Sequence, residues 1–528
     1  MFSKQAIEQY LNRDLEDYNW IKEGVYLDLL ESIKSICPMF NPKLPLFTHQ
    51  LAGVYLGLCL DQFLFFLDMG LGKTILALTL IQCKIDLNQI ENALVVVPNL
   101  VNIDNWIQEI EMFTNLVAVG LGGTKAQREA ALKTPAHIYI INYDGLKVLM
   151  TELKAVRSRK TTTQKRKRKI DDYASRSFAQ RFDLLVLDEC HHAKNSSSLN
   201  FQLCAILSEQ IHFRFGMTGT PIGRKAAGFW GQFYIIDHGE TLGKHEEMFQ
   251  QALFKQRTTK AGFIELYLPK KHEVILKNMM ANRSIRYADY ECGDVPKMTI
   301  IKVSFSLSDE VKRYGKQLIL DALANSNTND RAKKENIYSK TRQLCSGFVY
   351  ESIQSEDSLK AERVVVTFPN NQKLAEVESI ITDIPDDSKI VICHFFKESG
   401  RQLVALLTKL KIKFVIIGEL SPDNVVAYRQ FRNDPTVKGL VLNMASGGEG
   451  LNLQVANYAI IYEPIDHPDT DRQVIKRIAR TGQLKHCFIY RFITKKSVEE
   501  RIMEFIQEGK DLFQSLLEGN INYDSLLG

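Results

Sequence analysis

The sequence lacks the cysteine spacing of a zinc site or a disulfide framework. Its nine cysteines are scattered over 528 residues, and no two of them form a Cys-x-x-Cys pair. We therefore expect mostly buried thiols in a reducing compartment, which excludes a small disulfide-stabilised secreted protein. The first residues do not follow the pattern of a signal peptide, and the most apolar segment, 54–67, contains Asp61 and is too short to span a membrane. These features predict a soluble intracellular protein with no membrane partner.

The chain as a whole carries little net charge, but one segment is strongly basic. The net charge of the whole chain is +5. Residues 154–176 contain ten Lys and Arg and two aspartates, which gives this segment a net charge of +8. This segment is polar and rich in threonine, which predicts a mobile surface loop. We consider three roles for it: contacts with DNA phosphates, a solvated loop without a binding function, or a nuclear import signal. The residues concerned are Lys165, Arg166, Lys167, Arg168 and Lys169.

A glycine-rich turn between a strand pattern and a helix pattern indicates a phosphate-binding loop. The turn reads Asp68-Met69-Gly70-Leu71-Gly72-Lys73-Thr74 and lies between the apolar runs 63–67 and 75–81. Gly70 and Gly72 allow the backbone to approach a phosphate, and N–H groups at the helix start point towards the anion. Lys73 is expected to reach the β- and γ-phosphates and Thr74 to hold Mg²⁺. Leu67 stands where the eight-residue phosphate-loop pattern has glycine, and the alternative is an ordinary strand–helix turn.

Two acidic residues follow another buried strand pattern. Residues 182–187 form that pattern, and Asp188 and Glu189 come directly after it. Open parallel sheets bind ligands at the carboxyl ends of their strands. Asp188 is therefore a candidate Mg²⁺ ligand, usually through water, and Glu189 is a candidate to orient and deprotonate an attacking water. The neighbouring His191 and His192 do not indicate a metal site, because no third ligand is close in sequence.

Strand patterns alternate with helix patterns along the chain, which predicts an α/β fold with parallel sheets flanked by helices. After several helical stretches in 222–340, a second series of strands begins at residue 388 and ends at 492, without a phosphate loop of its own. Near its end, Gln473, Arg477 and Arg480 share one helical face at spacings of four and three. The two arginines are either a surface salt-bridge row or arginine fingers for an ATP held by the other unit.

The order of these motifs resembles that of helicase superfamily 2 and, within it, the Swi/Snf-like DNA translocases. The matching stretches are 47–50, 68–74, 188–191 with Lys194 and Asn195, 217–221, 445–453 and 473–483. Residues 139–143 are similar to a lobe-one motif that touches DNA, 341–346 to the segment that enters lobe two, and 497–502 to the helix after the last strand. The R-x-x-R-x-G-Q ending of the last motif favours the Swi/Snf branch over DEAD-box RNA helicases.

The resemblance implies two RecA-like lobes, with ATP in the cleft between them and DNA running across both. It also implies roles for individual residues. Nucleotide contacts would come from Gln50, which would read the adenine, and from Met69, Gly70, Leu71, Gly72, Lys73, Thr74, Gly450 and Gln473. Catalysis would involve Lys73, Asp188, Glu189, Arg477 and Arg480, with Mg²⁺ held by Thr74 and Asp188. Nucleic-acid contacts would come from Asn142, Tyr143, Lys194, Asn195, Thr218 and the five basic residues at 165–169.

From this resemblance we expect an ATP-dependent motor that translocates on double-stranded DNA, with ATP and Mg²⁺ as cofactors. The alternatives are a strand-separating DNA or RNA helicase and a nucleic-acid clamp that binds nucleotide without hydrolysing it. The expected domains are a helical N-terminal segment (1–44), lobe one (45–240) with the basic insertion 154–176, a helical linker region (241–370), lobe two (371–495) and a helical C-terminal extension (496–528). We expect a monomeric motor with a protein partner in replication, repair or transcription. Its place would be the cytoplasm of a bacterial or phage-infected cell or, through 165–169, a nucleus.

Overall fold

The computed structural model divides into two compact units, each of which contains one large parallel sheet. The first unit comprises residues 1–257 and 265–294, and the second comprises 258–264 and 295–528. The structure describes residues 2–157, 164–219, 226–258, 264–288, 291–292, 298–324, 330–353, 362–444, 451–480 and 483–508. None of the helices in these ranges is both long and apolar enough to cross a membrane.

Seven parallel strands form the large sheet of the first unit. The strands up to residue 287 are β1 (Gln62–Leu67), β2 (Ala93–Val97), β3 (Ala118–Gly120), β4 (Ile138–Asn142), β5 (Thr151–Arg157), β6 (Gln164–Ile170), β7 (Leu184–Asp188), β8 (Phe213–Met217), β9 (Lys255–Thr258), β10 (Ile264–Tyr267) and β11 (Ser284–Tyr287). The sheet has the spatial order β11-β1-β8-β7-β2-β4-β3. Strands β2, β4 and β7 are buried along their whole length. Helices cover both faces of such a sheet, so its strands read as continuous apolar runs, and the predicted α/β fold is confirmed.

The helices of the first unit enclose two cores, one on each face of this sheet. They are α1 (Lys4–Leu11), α2 (Tyr26–Ile36), α3 (Thr48–Cys59), α4 (Lys73–Asp86), α5 (Leu100–Phe113), α6 (Lys125–Ala131), α7 (Tyr143–Met150), α8 (Asp172–Ala179), α9 (Leu199–Gln210), α10 (Phe229–Asp237), α11 (Glu246–Leu253) and α12 (Lys270–Ala281). Alternate residues of β1 enter different cores: Leu64 and Phe66 belong to one, and Phe63 and Phe65 to the other. Because β1, β8 and β7 are parallel neighbours, their carboxyl ends lie side by side at one edge.

The first unit extends beyond residue 240, where the sequence had suggested that lobe one ends. Strand β11 forms an edge of the large sheet and pairs in parallel with β1, with Ser284 opposite Leu64. Residues 265–294 therefore belong to the first unit and not to a separate linker region. The strand was missed because four residues are too few to establish a strand pattern.

Six parallel strands form the large sheet of the second unit. The strands from residue 298 onwards are β12 (Met298–Phe305), β13 (Phe348–Ile353), β14 (Glu362–Thr367), β15 (Ile390–His394), β16 (Phe414–Ile417), β17 (Gly439–Asn443), β18 (Tyr458–Ile461) and β19 (Cys487–Thr494), and the sheet order is β12-β19-β18-β15-β17-β16. Its helices are α13 (Asp309–Ala324), α14 (Asp330–Cys345), α15 (Gln372–Asp383), α16 (Lys397–Lys409), α17 (Asn424–Asn433), α18 (Pro468–Ile478) and α19 (Val498–Gln507). Strand β12 pairs with β19, so this unit begins well before residue 371, the expected start of lobe two.

The basic segment is mainly a two-stranded antiparallel ribbon, not the loop that the sequence suggested. Strands β5 and β6 pair with Lys154 opposite Lys167 and Glu152 opposite Lys169. Nη1 of Arg168 donates to the main-chain oxygen of Lys147 over 2.8 Å, which anchors the ribbon to α7. Residues 158–163 lie outside the described part of the chain. The strands were missed because lysines and arginines in succession give no alternation of apolar and polar residues.

Candidate nucleotide-binding site

The glycine-rich turn joins the carboxyl end of β1 to the start of α4. Gly70 and Gly72 have φ angles of 89° and 72°, in the left-handed region that glycine adopts without strain. A Cβ atom on Gly72 would lie 2.1 Å from Nε2 of Gln50, so a larger residue would have to displace that amide and would also be strained at this φ. Gly72 is the N-cap of α4, and glycine has no side chain that can accept a bond from the first N–H groups. The turn therefore presents backbone N–H groups at a helix start, which is the arrangement that binds phosphate.

Two residues of α3 hold this turn in place. Nε2 of Gln50 donates to the Leu71 oxygen over 3.2 Å, and Oε1 of Gln50 accepts from the Phe47 N–H over 2.9 Å. Nε2 of His49 lies 2.9 Å from the same Leu71 oxygen, and because a carbonyl only accepts, this nitrogen must carry the proton. Burial lowers the pKa of His49, which favours the neutral ring. Gln50 is only 2% exposed, so in this structure its amide positions the turn, and its contact with adenine stays a prediction.

The ammonium group of Lys73 lies where the ends of β1 and β8 meet. Its Nζ donates to the main-chain oxygen of Leu67, the last residue of β1, over 3.1 Å. A Cβ atom added to Gly219 would lie 3.3 Å from both that oxygen and the Lys73 nitrogen. The missing side chain at Gly219 thus leaves room for the ammonium group beside the segment that follows β8.

The acidic pair lies at the end of β7, the strand next to β8. Oδ2 of Asp188 accepts from Nε1 of Trp106 over 3.1 Å, and Oδ1 accepts from the Glu189 N–H over 3.0 Å. Oε2 of Glu189 accepts from the Thr218 hydroxyl over 2.9 Å, and Nδ1 of His191 lies 3.3 Å from the same oxygen. Glu189 has a φ of 47°, which is uncommon for a residue other than glycine. Both acidic residues are 9% exposed, so the pair is largely buried.

Burial and the nearby Lys73 determine the ionisation of the pair. Burial raises the pKa of Asp188, and the adjacent Glu189 carboxylate raises it further. Burial acts in the same direction on Glu189, but the Lys73 ammonium and hydrogen bonds from His191 and Thr218 outweigh it and hold the pKa of Glu189 below its usual range. Glu189 is therefore the carboxylate that keeps its charge over the wider pH range.

Three residues that were expected to contact DNA are buried in the first unit. Thr218 is 0% exposed and bonds Glu189, and Tyr143 is 3% exposed and donates its hydroxyl to the Asp188 main-chain oxygen over 3.0 Å. Asn142, at the end of β4, is also buried. In this structure the side chains of Thr218 and Tyr143 support the acidic pair, and the contact of these three residues with DNA stays a prediction.

Lys194 and Asn195 lie in a different environment from those buried residues. Lys194 is half-buried and Asn195 is exposed, just after the 3₁₀ turn Cys190–Ala193. Oδ1 of Asn195 accepts from the Ser197 N–H over 3.1 Å, which shapes the loop before α9. Their contact with DNA stays a prediction.

The expected helical face of arginines in the second unit is interrupted. Helix α18 ends at Ile478, and its C-cap, Ala479, has a ψ of 76°, outside the helical region. Arg480 follows this break and lies outside the helix. The sequence spacing predicts one shared helical face for Gln473, Arg477 and Arg480, and this prediction is wrong for Arg480. Arg477 lies within the helix and is 8% exposed. The two arginines are therefore presented by different local structures.

Some of the predicted contacts fall outside the described residues. Gly450 is one of them, together with the rest of 445–450, and the side chains of Lys165, Arg166 and Lys167 are others. Arg168 and Lys169 are described, and both are exposed.

Two residues at the site were not identified from the sequence. Trp106 lies 82 positions before Asp188 in a regular helix pattern, and a tryptophan in such a pattern predicts only a core residue. His49 is next to Gln50 within the stretch 47–50. The resemblance of this stretch to the family motif was the sequence signal that could have identified His49 as a site residue.

Two family models match this chain. The SNF2-related domain matches residues 49–347, and the helicase conserved C-terminal domain matches residues 372–482. The first match covers more than half of the chain and contains the turn and the acidic pair. The second covers α15 to α18 of the second unit.

Several curated proteins and a solved structure are similar to this chain. Protein CHROMATIN REMODELING 5 of Arabidopsis thaliana is 24% identical over 83% of this chain and 25% of its own length. The DNA repair and recombination protein RAD54-like of Drosophila erecta is 23% identical over 86% of this chain and 60% of its own length. The chain thus spans less than two thirds of these relatives. The Sulfolobus solfataricus SWI2/SNF2 ATPase core in complex with dsDNA is 21% identical over 92% of this chain and 95% of its own, with a TM-score of 0.39.

Proposed function

This chain belongs to the SNF2-related family, and we propose that it is an ATP-dependent motor that translocates on double-stranded DNA. The proposal rests on the convergence of the phosphate-loop lysine and two acidic residues at the ends of β1 and β7, the strands on either side of β8. Lys73 contacts the end of β1, and its charge helps to hold the pKa of Glu189 at the end of β7 below its usual range, whereas burial raises the pKa of Asp188. A phosphate loop alone binds nucleotide, whereas an ionised carboxylate beside it can also act on a water molecule. The site therefore fits hydrolysis better than binding alone.

ATP with Mg²⁺ is the proposed cofactor pair. The backbone N–H groups at the start of α4 and the Lys73 ammonium suit the phosphates. The Thr74 hydroxyl and the Asp188 carboxylate are oxygen ligands of the kind that Mg²⁺ prefers, and these two residues would hold it. Bound there, Mg²⁺ supplies neutralisation of phosphate charge.

Glu189 is proposed to orient the attacking water. Thr218 and His191 fix its carboxylate, and the charge is retained because the pKa lies below its usual range. Such a carboxylate is a weak proton acceptor. Its main contribution is therefore to hold the water in line with the phosphorus rather than to remove a proton early.

Arg477 and Arg480 are proposed to sense the γ-phosphate. The R-x-x-R-x-G-Q motif supports this role, together with the match of the helicase C-terminal model to residues 372–482. An arginine that reaches the phosphate in the transition state accelerates hydrolysis by several orders of magnitude.

Duplex DNA is the proposed partner, and the ribbon of β5 and β6 is one proposed contact surface. Residues 151–170 contain nine Lys and Arg and one Glu, so their excess of +8 exceeds the +5 of the whole chain. This concentration of positive charge favours a polyanion beside the ribbon. Each strand has seven residues, roughly 23 Å, and a two-stranded ribbon fits the major groove of a duplex.

The cellular setting is proposed from the relatives. Their names refer to chromatin remodelling and to DNA repair and recombination. We accordingly propose a monomeric motor that works with a protein partner in replication, repair or transcription. Its proposed place is inside the cell, in a bacterial or phage-infected cytoplasm or, if 165–169 acts as an import signal, in a nucleus.

Steady-state ATP hydrolysis tests the proposed function. The protein is assayed with Mg²⁺ alone and with blunt duplex DNA, single-stranded DNA or RNA, beside a Lys73→Ala variant. Strong stimulation by blunt duplex DNA that Lys73→Ala abolishes is the expected result. Stimulation mainly by single strands or by RNA would replace the proposal with a strand-separating helicase. ATP binding without turnover on any nucleic acid would replace it with a clamp.

A further inference from the structure

Asp188 is held by hydrogen bonds at three of its atoms. Its Oδ2 accepts from Nε1 of Trp106 over 3.1 Å, its Oδ1 accepts from the Glu189 N–H over 3.0 Å, and its main-chain oxygen accepts from the Tyr143 hydroxyl over 3.0 Å. We infer that Trp106 and Tyr143 are positioning residues that fix the carboxylate of Asp188 and the peptide between Asp188 and Glu189 for nucleotide hydrolysis. This inference rests on the proposed function.

Trp106 fixes the plane of the carboxylate. An indole has one N–H group, which only donates, and a buried indole generally finds a partner for it. Trp106 is 2% exposed on α5, and this one donor is directed at a carboxylate oxygen of Asp188. Since Oδ1 is bonded to the next N–H, rotation about the Cβ–Cγ bond would break at least one of the two bonds. The remaining acceptor positions of the carboxylate are therefore directed consistently, as a metal ligand requires.

Tyr143 fixes the peptide that leads from one acidic residue to the other. This peptide is bonded at both polar atoms, because its oxygen accepts from Tyr143 and its N–H donates to Oδ1 of Asp188. Directly after it, Glu189 adopts a φ of 47°, a conformation that is costly for glutamate and persists only when its surroundings enforce it. A rotated peptide would move both the Glu189 backbone and the side chain that is proposed to orient the attacking water. Tyr143 thus acts on Glu189 through the Asp188 carbonyl.

The two bonds connect separate parts of the first unit to the acidic pair. Trp106 comes from α5, which follows β2, and Tyr143 is the first residue of α7, which follows β4. Strand β7 pairs with β2, and β2 pairs with β4, so the two donors come from the connections that follow the next two strands of the sheet. The order of the strands therefore brings both side chains to the end of β7, although they lie 82 and 45 positions before Asp188 in the sequence.

Tyr→Phe removes the donor and keeps the ring, whereas Trp→Phe removes the donor together with the pyrrole part of the indole, and the chain offers a matched control for each change. Trp106→Phe is compared with Trp230→Phe, because Nε1 of Trp230 donates to the Gly243 oxygen over 2.9 Å in the same unit. Tyr143→Phe is compared with Tyr10→Phe, because the Tyr10 hydroxyl donates to the Leu242 oxygen over 3.0 Å. All four side chains are buried. Both tyrosine variants lose a bond to a main-chain oxygen, whereas Trp106→Phe loses a bond to a carboxylate and Trp230→Phe a bond to a main-chain oxygen.

Variants of the 528-residue chain are compared by kcat, by KM for ATP, by the Mg²⁺ concentration for half-maximal hydrolysis and by Tm. Loss of a residue that orients a metal ligand typically lowers activity or metal affinity by 10- to 100-fold. We expect Trp106→Phe and Tyr143→Phe each to lower kcat by about tenfold or more, with KM for ATP changed less than threefold. We expect each control variant to keep wild-type kcat although it too lowers Tm. Equal kcat in test and control variants would overturn the inference. If Trp106→Phe does not fold, Tyr143→Phe decides by the same criterion.

A binding measurement separates this inference from the proposed function. Mn²⁺ is titrated in the presence of ADP and followed by its electron paramagnetic resonance signal, with wild-type protein, Trp106→Phe and Trp230→Phe. Weaker Mn²⁺ binding by Trp106→Phe alone, by about tenfold, supports the positioning role even if the wild-type protein hydrolyses no ATP. Identical Mn²⁺ binding by Trp106→Phe and Trp230→Phe overturns the role of Trp106, whatever the hydrolysis assay shows.

Discussion

The hydroxyl group of Thr218 donates a hydrogen bond of 2.9 Å to Oε2 of Glu189 and thereby links the end of β8 to the end of β7. Thr218→Val keeps the shape of the side chain and removes the donor. A hydrogen bond to a charged group contributes about 1.5–3 kcal/mol, so we expect kcat for ATP to fall by at least about tenfold, with little change in KM. The hydroxyl of Thr114 bonds the Ile110 oxygen over 2.8 Å, outside the site, and Thr114→Val is the control in steady-state kinetics. Equal kcat in the two variants would mean that Thr218 is not needed to hold Glu189.

Replacing Glu189 by glutamine should separate nucleotide binding from hydrolysis. The amide oxygen can still accept from Thr218, but the negative charge that holds the water is lost. We expect Glu189→Gln to bind ATP with near wild-type affinity and to hydrolyse it about 10²- to 10⁴-fold more slowly. The measurements are the ATP-induced increase in Tm and the rate of phosphate release, with Lys73→Ala as the variant that should lose both. Wild-type turnover in Glu189→Gln would remove Glu189 from the reaction.

If the ribbon of β5 and β6 contacts DNA phosphates, the affinity for duplex DNA should depend on salt through its lysines and arginines. Each phosphate contact that is lost reduces the slope of log K against log salt by about 0.9 for duplex DNA. We expect the triple change of Lys165, Arg166 and Lys167 to glutamine to weaken duplex binding and to reduce the slope by roughly 2 to 3, as measured by fluorescence anisotropy. The matched control changes Lys409, Lys411 and Lys413, three closely spaced lysines of the second unit, to glutamine. An unchanged slope in the ribbon variant would leave the ribbon without a role in DNA binding.

Lys84 should make the stability of the first unit depend on pH. It is 0% exposed, lies 3.9 Å from the centre of the Phe213 ring, and burial lowers its pKa from 10.5 to about 8. Between these values the unfolded chain binds more protons than the folded chain, so the free energy of unfolding rises with pH from about 8 to 10.5. Below pH 8 the buried charge opposes folding by up to roughly 3 kcal/mol.

Lys84→Met should therefore stabilise the protein at pH 7. The difference in free energy of unfolding between this variant and wild type should decrease as the pH rises from 8 to 10.5. Thermal unfolding over this pH range measures the difference, with Lys133→Met at an exposed position of the same unit as the control. A constant difference between Lys84→Met and wild type at every pH would show that Lys84 keeps its usual pKa in the fold.

The contiguous parts of the site could be predicted from the sequence, because neighbouring residues produce them. The turn 68–74 needs only a strand, two glycines and a helix start, and the structure has all three in that order. The acidic pair was also placed correctly at a strand end, because the apolar residues before it are a complete buried strand. In both cases the physical cause of the structure lies within about ten residues.

The parts that were missed depend on residues far apart in the sequence. Trp106 and Tyr143 reach Asp188 only through the order of β7, β2 and β4 in the sheet, which no local pattern records. The resemblance of 139–143 to a DNA-touching motif predicts a DNA contact for Tyr143, and it gives no sign that the hydroxyl of this residue bonds the Asp188 main-chain oxygen. The ribbon was missed for a related reason: its strands are formed by pairing with each other and not by packing an apolar face.

Displacement of a third DNA strand from a triplex is the most direct test of duplex translocation. A labelled oligonucleotide is bound in the major groove of a blunt duplex, and its release is followed after ATP is added, with Lys73→Ala and Glu189→Gln as controls. The account predicts ATP-dependent release of the third strand by the wild-type protein, an intact duplex afterwards, and no release by either variant. Hydrolysis of ATP on the duplex without release of the third strand, or separation of the duplex itself, would contradict it.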